Sequence, residues 1–266
     1  MRPFFLIFSL VWLCFAKPVF AQEFAGGGLE ETDWDYLAAG EVDTMNRRAG
    51  QTPPPARFFF REHIDIPVFD QFKLPACVGY AIASAVGIRL NWFCRNRCAC
   101  RQKLPPFSAA YIFNQIYKEG AKGISLAVGL DTLWAQGICP EHIFRNDPRS
   151  AAEKPTTAAR QAAGIYRFWQ KKERFLFLPD EMPDASKRKA LMLDLLRRHL
   201  SGGLPAIVGI RCPSDFFDFR GEKYIASGLP VKANHAVVVT GYDDETREVE
   251  ILNSMGTAWG NNGFAR

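Results

Sequence analysis

The sequence predicts an α+β protein of two lobes, a mainly helical N-terminal one and an antiparallel β C-terminal one, with a cleft between them. Three observations carry this. Capped helical patterns fill residues 77 to 137. Short β-branched runs separated by turn residues fill 204 to 254. Between them "DASKRKALMLDLLRRHLSGG" reads as one capped amphipathic helix ended by Gly202 and Gly203. At 266 residues the chain is long enough for one large domain or two lobes.

In chain order, "MRPFFLIFSLVWLCFAKPVFAQ" opens with Arg2 and carries an apolar run from Phe4 to Ala16. Val19 and Ala21 follow at the spacing a signal peptidase accepts. The run is short of the roughly 20 residues that cross a bilayer, so residues 1–21 read as a secretory signal cut after Ala21. Nothing later reads as apolar for long enough to span. The expected location is outside the cytoplasm, secreted or periplasmic. Residues 22–62 hold eight acids and four bases, are marked by "FAGGGLEE" and "QTPPPAR", and bury little. They read as a short acidic leader.

The body is assigned to residues 63–266. "CVGYAIASAVGIRLNWF" from Cys77 mixes small and large apolar residues on several faces, which suits a helix buried on most sides. "FSAAYIFNQIYKEG" opens on a Ser108 cap and closes at Gly120, and "LAVGLDTLWAQG" ends on Gly137. Residues 145–164 read as a polar connection. "LPAIVGIR", "NHAVVVTGYDDE" and "REVEILNS" read as antiparallel strands.

Charge excludes little but points away from nucleic acid. The net +5 divides into +2 in residues 1–21 (Arg2 and Lys17), an acidic leader of net −4 and a body of net +7, whose bases are interleaved with acids and form no stripe. With Cys14 in the signal, six cysteines remain: Cys77, Cys94, Cys98, Cys100, Cys139 and Cys212. "CRNRCAC" lacks a second cysteine pair or a nearby histidine, so disulfides, to Cys139 or elsewhere, are expected over a metal site.

"LPACVGYA" places Cys77 at a helix start, where a thiol is either packed, bridged or reactive. A reactive thiol needs a base, and there are four histidines. His63 lies at the leader boundary, His142 follows Cys-Pro-Glu in a loop, and His199 sits at a helix end. His235 instead opens a strand that turns through "DDETR" and returns to Asn253. A hairpin centred near Glu245 sets 237 opposite 253, making His235 and Asn253 diagonal neighbours across the ladder. An amide oxygen held on one imidazole nitrogen fixes the ring and leaves the other nitrogen to face a thiol.

"NHAVVVTGY" and "LNSMGTAWGNNGF" resemble the histidine and asparagine motifs of the papain family of cysteine proteases, and Gln71, six residues before Cys77, matches its first motif. The resemblance, closest in style to bacterial members, spans about residues 65–266 and implies a two-lobed papain-like fold. It implies Cys77 as nucleophile, His235 as base, Asn253 as the residue orienting the ring, and Gln71 as oxyanion donor beside the Cys77 N–H. Beside an imidazolium at a helix N-terminus, the thiol is expected to have a lowered pKa. Met255 and Trp259 stand where the family has tryptophans supporting the site. The family's disulfide cysteine and tryptophan flanking the nucleophile are Leu74 and Val78 here. From Cys77 to His235 is 158 residues and to Asn253 is 176, longer than the family's usual spacing, which implies insertions.

The function implied is a cysteine endopeptidase acting on peptide or protein substrates, with no cofactor and no metal. The leader is a possible propeptide that lies over the basic body and blocks the cleft until cut. Two alternatives stand beside this: a catalytically inactive papain-like domain that binds a partner, and the same chemistry with the acyl group passed to an amine. All four chemical positions are filled, which favours the enzyme.

Overall fold

A computed structural model describes residues 29–30, 53–97, 103–149, 151–167 and 185–266. The signal, most of the leader, Cys98 and Cys100 lie outside the described residues.

The helical lobe is organised around α1 (Cys77–Arg97), with Cys77 its first residue. Small residues on several faces let neighbours approach. A Cβ on Gly79 would meet Ala109 O at 2.8 Å, so α2 (Ala109–Ile116) packs against α1 where no side chain intervenes. Ser108 Oγ accepts from Tyr111 N–H at 2.9 Å and starts α2 as expected. The helix stops at Ile116, short of the expected Gly120, because Tyr117 leaves helical backbone at ψ 133°.

β3 (Ile124–Ser125) runs into α3 (Leu126–Gln136), which ends on Gly137 at φ 80°. Glycine is required there, since a Cβ would lie 2.1 Å from Ala163 O. That carbonyl belongs to α4 (Thr157–Ile165), a helix inside the stretch expected to be a polar connection. Thr156 Oγ1 caps it by accepting from Ala159 N–H at 3.2 Å. It buries only Ala159 and Ala163, too narrow an apolar stripe to read from sequence.

α1 also corrects the expectation that no later segment is long and apolar enough to span a membrane: Cys77–Asn96 meets that test by length and composition. Its apolar faces are instead covered by the protein, with Val78, Ile82, Ala83, Val86 and Ile88 all buried.

α5 (Ala185–Ser201) leads into the sheet lobe: β4 (Ala206–Pro213), the short α6 (Ser214–Phe217), β5 (Val231–Asp243), β6 (Glu248–Leu252) and β7 (Phe264–Ala265). β5 is central, with β4 on one edge, β6 on the other and β7 beyond β6. Val238 pairs with Leu252, the register expected of the hairpin, and a bulge between Val239 and Gly241 shifts the remainder by one residue. α1 packs against β5, which joins the lobes.

The boundary at residue 62 needs correction. Arg57–Phe59 form β2, which pairs antiparallel with Gly241–Asp243 of β5 on the same edge as β4. Phe58, Phe59 and Phe60 are buried. Arg61 Nε lies 2.7 Å from the carboxylate of Glu250, a side chain with no exposed surface. The last residues of the expected leader are therefore part of the sheet lobe.

Farther back in the leader, β1 (Leu29–Glu30) pairs in parallel with β3. Leu29 Cδ2 lies so close over Gly209 of β4 that a Cβ there would sit 2.7 Å from it. β1 thus touches both lobes.

Candidate active site

The site forms where the start of α1 meets β5. Cys77 Sγ accepts from Ala236 N–H at 3.4 Å, so the thiol lies beside the residue that follows His235. His235 Nε2 and Asn253 Oδ1 are 2.7 Å apart, and Asn253 Oδ1 also accepts from Ser254 N–H at 2.8 Å. With Nε2–H donating to the amide oxygen, the Nδ1 lone pair is left over. Nδ1 is buried and has no hydrogen-bond partner. The diagonal contact between His235 and Asn253 follows from the strand register.

Gln71 is tied into the same corner. Its side-chain oxygen accepts from Ser254 Oγ at 2.6 Å and its nitrogen donates to Leu74 O at 2.8 Å. The loop before α1 is laced to the segment after β6 by Gln71 N–H on Ser254 O (2.8 Å), Gly256 N–H on Phe69 O (2.9 Å) and a bridge from Asp70 to Met255. Gln71 is thereby held between the residues preceding Cys77 and the residue following Asn253.

Trp259 is buried, donates from Nε1 to Phe216 O at 2.6 Å and packs its ring 5.1 Å from that of Phe216. Phe216 and Phe217 in turn set their rings edge-on to His235, at 6.0 and 5.6 Å between centroids. Trp259 reaches the imidazole through Phe216, whereas Met255 is half-buried and bridges to Asp70. Phe216, Phe217 and Ser254 were not singled out from the sequence. The run "SDFFDF" between two strands was the available signal for the aromatic pair.

Electrostatics depart from the expected ion pair. Cys77, His235 and Gln71 are fully buried, each 0% exposed. Burial pushes the Cys77 thiol up to about 12, against smaller lowering by the N–H groups of Ala236, Val78 and its own residue. Burial likewise brings His235 down to about 4, with the Asn253 hydrogen bond opposing it. Both shifts favour a neutral thiol beside a neutral imidazole, because burial penalises the charges an ion pair would carry. The expected lowered thiol pKa does not hold here.

Cys212, also buried, has its thiol raised by burial and then by Cys77. Cys139 and Cys212 are free thiols, so the expected disulfide to Cys139 does not form. Among the described residues no group of three or more His, Cys, Asp or Glu side chains could hold a metal ion.

β1 sits close to this site. Leu29 covers Gly209, Gly209 is the register partner of Ala236, and Ala236 holds the thiol.

No protein-family model matches the chain. Solved structures do. Xylellain, a cysteine protease from Xylella fastidiosa, superposes with a TM-score of 0.66 at 20% identity, over 93% of this chain and 91% of that one. Procathepsin B from Trypanosoma congolense gives 0.59 at 15% identity, over 91% and 80%. A Carica candamarcensis cysteine protease bound to E-64 gives 0.54 at 19% identity, over 80% and 88%. The chain therefore has the papain-like cysteine protease fold, helical lobe against antiparallel sheet. In sequence it is 24% identical over 201 residues to an uncharacterised peptidase C1-like protein of Acanthamoeba polyphaga mimivirus, matching 73% of this chain and 62% of the length of that relative.

Proposed function

We propose that this chain is an exported papain-like cysteine endopeptidase whose leader holds it inactive until cut. The observation that carries the reading is the 2.7 Å contact of His235 Nε2 with Asn253 Oδ1, which leaves Nδ1 buried and without a hydrogen-bond partner, while the N–H of the next residue, Ala236, holds the Cys77 thiol. Cys77 is the nucleophile, His235 the base and Asn253 the residue that fixes the ring.

In the reaction His235 Nδ1 takes the thiol proton as Sγ bonds to a peptide carbonyl carbon. The carbonyl oxygen gains charge against the Cys77 backbone N–H and the Gln71 amide, donors worth a few kcal/mol each in a sheltered site. As the tetrahedral adduct collapses, the C–N bond breaks and His235 returns the proton to the leaving amine. Water, deprotonated by the same imidazole, then releases the acyl group as a carboxylate. No cofactor takes part.

Support for the inhibitory leader comes from β1, which pairs with β3 and sets Leu29 over Gly209, the register partner of the Ala236 that holds the thiol. When it leaves, water reaches Cys77 and His235. The burial that keeps both neutral weakens, and the thiolate–imidazolium pair becomes accessible. Residues 1–21 serve export in this reading.

The neutral, fully buried thiol also favours a second reading, a domain that binds a partner and does no chemistry. One assay separates them: incubation of the protein, in reducing buffer, with a mixture of peptides followed by mass spectrometry. Cleavage that disappears in Cys77→Ala and His235→Ala supports the enzyme, and new carboxyl termini rule out transfer to an amine. Intact peptides from the wild type after leader removal favour the binding module.

A further inference from the structure

Phe72 follows Gln71 and departs from two rules at once. Its φ is 52°, a left-handed conformation uncommon for a bulky side chain, and 56% of it is exposed. The backbone around it is fixed. Phe72 N–H donates to Asp70 Oδ1 at 2.7 Å, and the residues on either side of Asp70 hydrogen bond to 254–256. The loop therefore holds an aromatic ring out to solvent, at a backbone angle glycine would take more easily, one residue from the proposed oxyanion donor.

The sheet defines which side of the reaction this ring faces. His235 lies on β5, whose two edges carry β4 and β6. Leu29 of the leader lies on the β4 edge, over Gly209. Phe72 lies on the other edge, on a loop paired to the continuation of β6. A peptide crossing Cys77 has one half on each flank. The leaving amine takes its proton from His235, whose ring is held from the Asn253 and Ser254 side, so the leaving half departs along the wall that carries Gln71 and Phe72. The acyl half stays with Cys77 on the β4 side.

We propose that Phe72 is a specificity-determining platform for the leaving-group half of the substrate, favouring peptides with an aromatic or branched aliphatic residue within the first two positions after the cleaved bond. This rests on the endopeptidase reading and names the substrate class of the same site. An exposed ring offers apolar area that such a side chain covers, a gain absent for polar or charged residues.

The test uses the purified chain cut between residues 31 and 52, under reducing conditions, as wild type, Phe72→Gly, Phe72→Asn and Phe72→Tyr. Gly and Asn both suit a positive φ, so loss of the ring is not confounded with backbone strain. Internally quenched peptides varied after the scissile bond report the leaving-group half. Acyl-peptide aminomethylcoumarins, which have no residue there, report the rest of the site. The expected result is a loss of about tenfold in kcat/KM on the apolar quenched peptides for Phe72→Gly and Phe72→Asn. Coumarin release should be unchanged in every variant, and Phe72→Tyr should restore the preference. A wild type that cleaves without preference after the bond, or a preference that survives in Phe72→Gly, overturns the proposal and leaves the peptidase reading standing. A wild type that cleaves neither substrate class removes the peptidase reading and this proposal with it.

Discussion

Asn253 is the residue on which the geometry of the proposed base depends. Its Oδ1 is shared between His235 Nε2 and the backbone N–H of Ser254, so the acceptor is fixed before the imidazole meets it. Asn253→Ala frees the ring to turn and should lower kcat by about a hundredfold while leaving KM nearly unchanged, a split that steady-state kinetics resolves. His235 also links the site to acid stability. Its pKa is about 4 in the fold against 6.5 for an ordinary imidazole, so between those pH values the unfolded chain binds a proton that the folded chain declines. The stability from burying a neutral imidazole is complete above pH 6.5 and is lost as pH falls toward 4. Melting temperature should drop over that window, and His235→Gln should flatten the fall. His199, also brought to about 4 by burial and by Arg89, keeps part of the slope. That Cys77, His235, Asn253 and Gln71 come together was legible because each sits in a short motif. The neutral state of the pair was not, since it depends on burial by segments far away in sequence.

Among the elements, β2 shows where local reading stops. "PPPARFFFRE" has turn residues and no alternation, and only its partner, the far end of β5, makes Arg57–Phe59 a strand. Arg61 then faces Glu250, whose carboxyl is raised by burial and lowered by Arg61 first among its opposing influences. Arg61→Ala strands a buried carboxylate and should destabilise the fold by about 3 kcal/mol, read from urea unfolding. The double variant Arg61→Leu with Glu250→Leu should recover most of that loss. Gly79→Ala drives a methyl against Ala109 O and separates α1 from α2. A loss of about 2 kcal/mol is expected in the same measurement. The three long strands and α1 were legible from β-branched runs and dense apolar residues. α4 was not, because two alanines are all it buries.

For the molecule as a whole, the claim is that one chain carries both a cysteine peptidase site and its cover. The two-lobed α+β architecture could be read from the order of patterns along the chain. That a leader covers the cleft was an expectation from its acidic composition, but the two-residue strand β1 could not be read, because its pairing with β3 is a long-range event. In the proposed activation the cut falls between β1 and β2: a cut after Glu30 and before Arg57 removes the cover and keeps the strand on β5. Cleavage engineered between residues 31 and 52 should raise peptide hydrolysis, whereas a chain beginning at residue 63 should unfold. The most direct measurement is intact mass after reaction of the cut, reduced protein with an epoxysuccinyl inhibitor of papain-like thiols. The wild type should gain one adduct, Cys77→Ala none, and His235→Ala one that forms far more slowly. A wild type that stays unmodified, with its leader gone and its thiols reduced, would contradict the account.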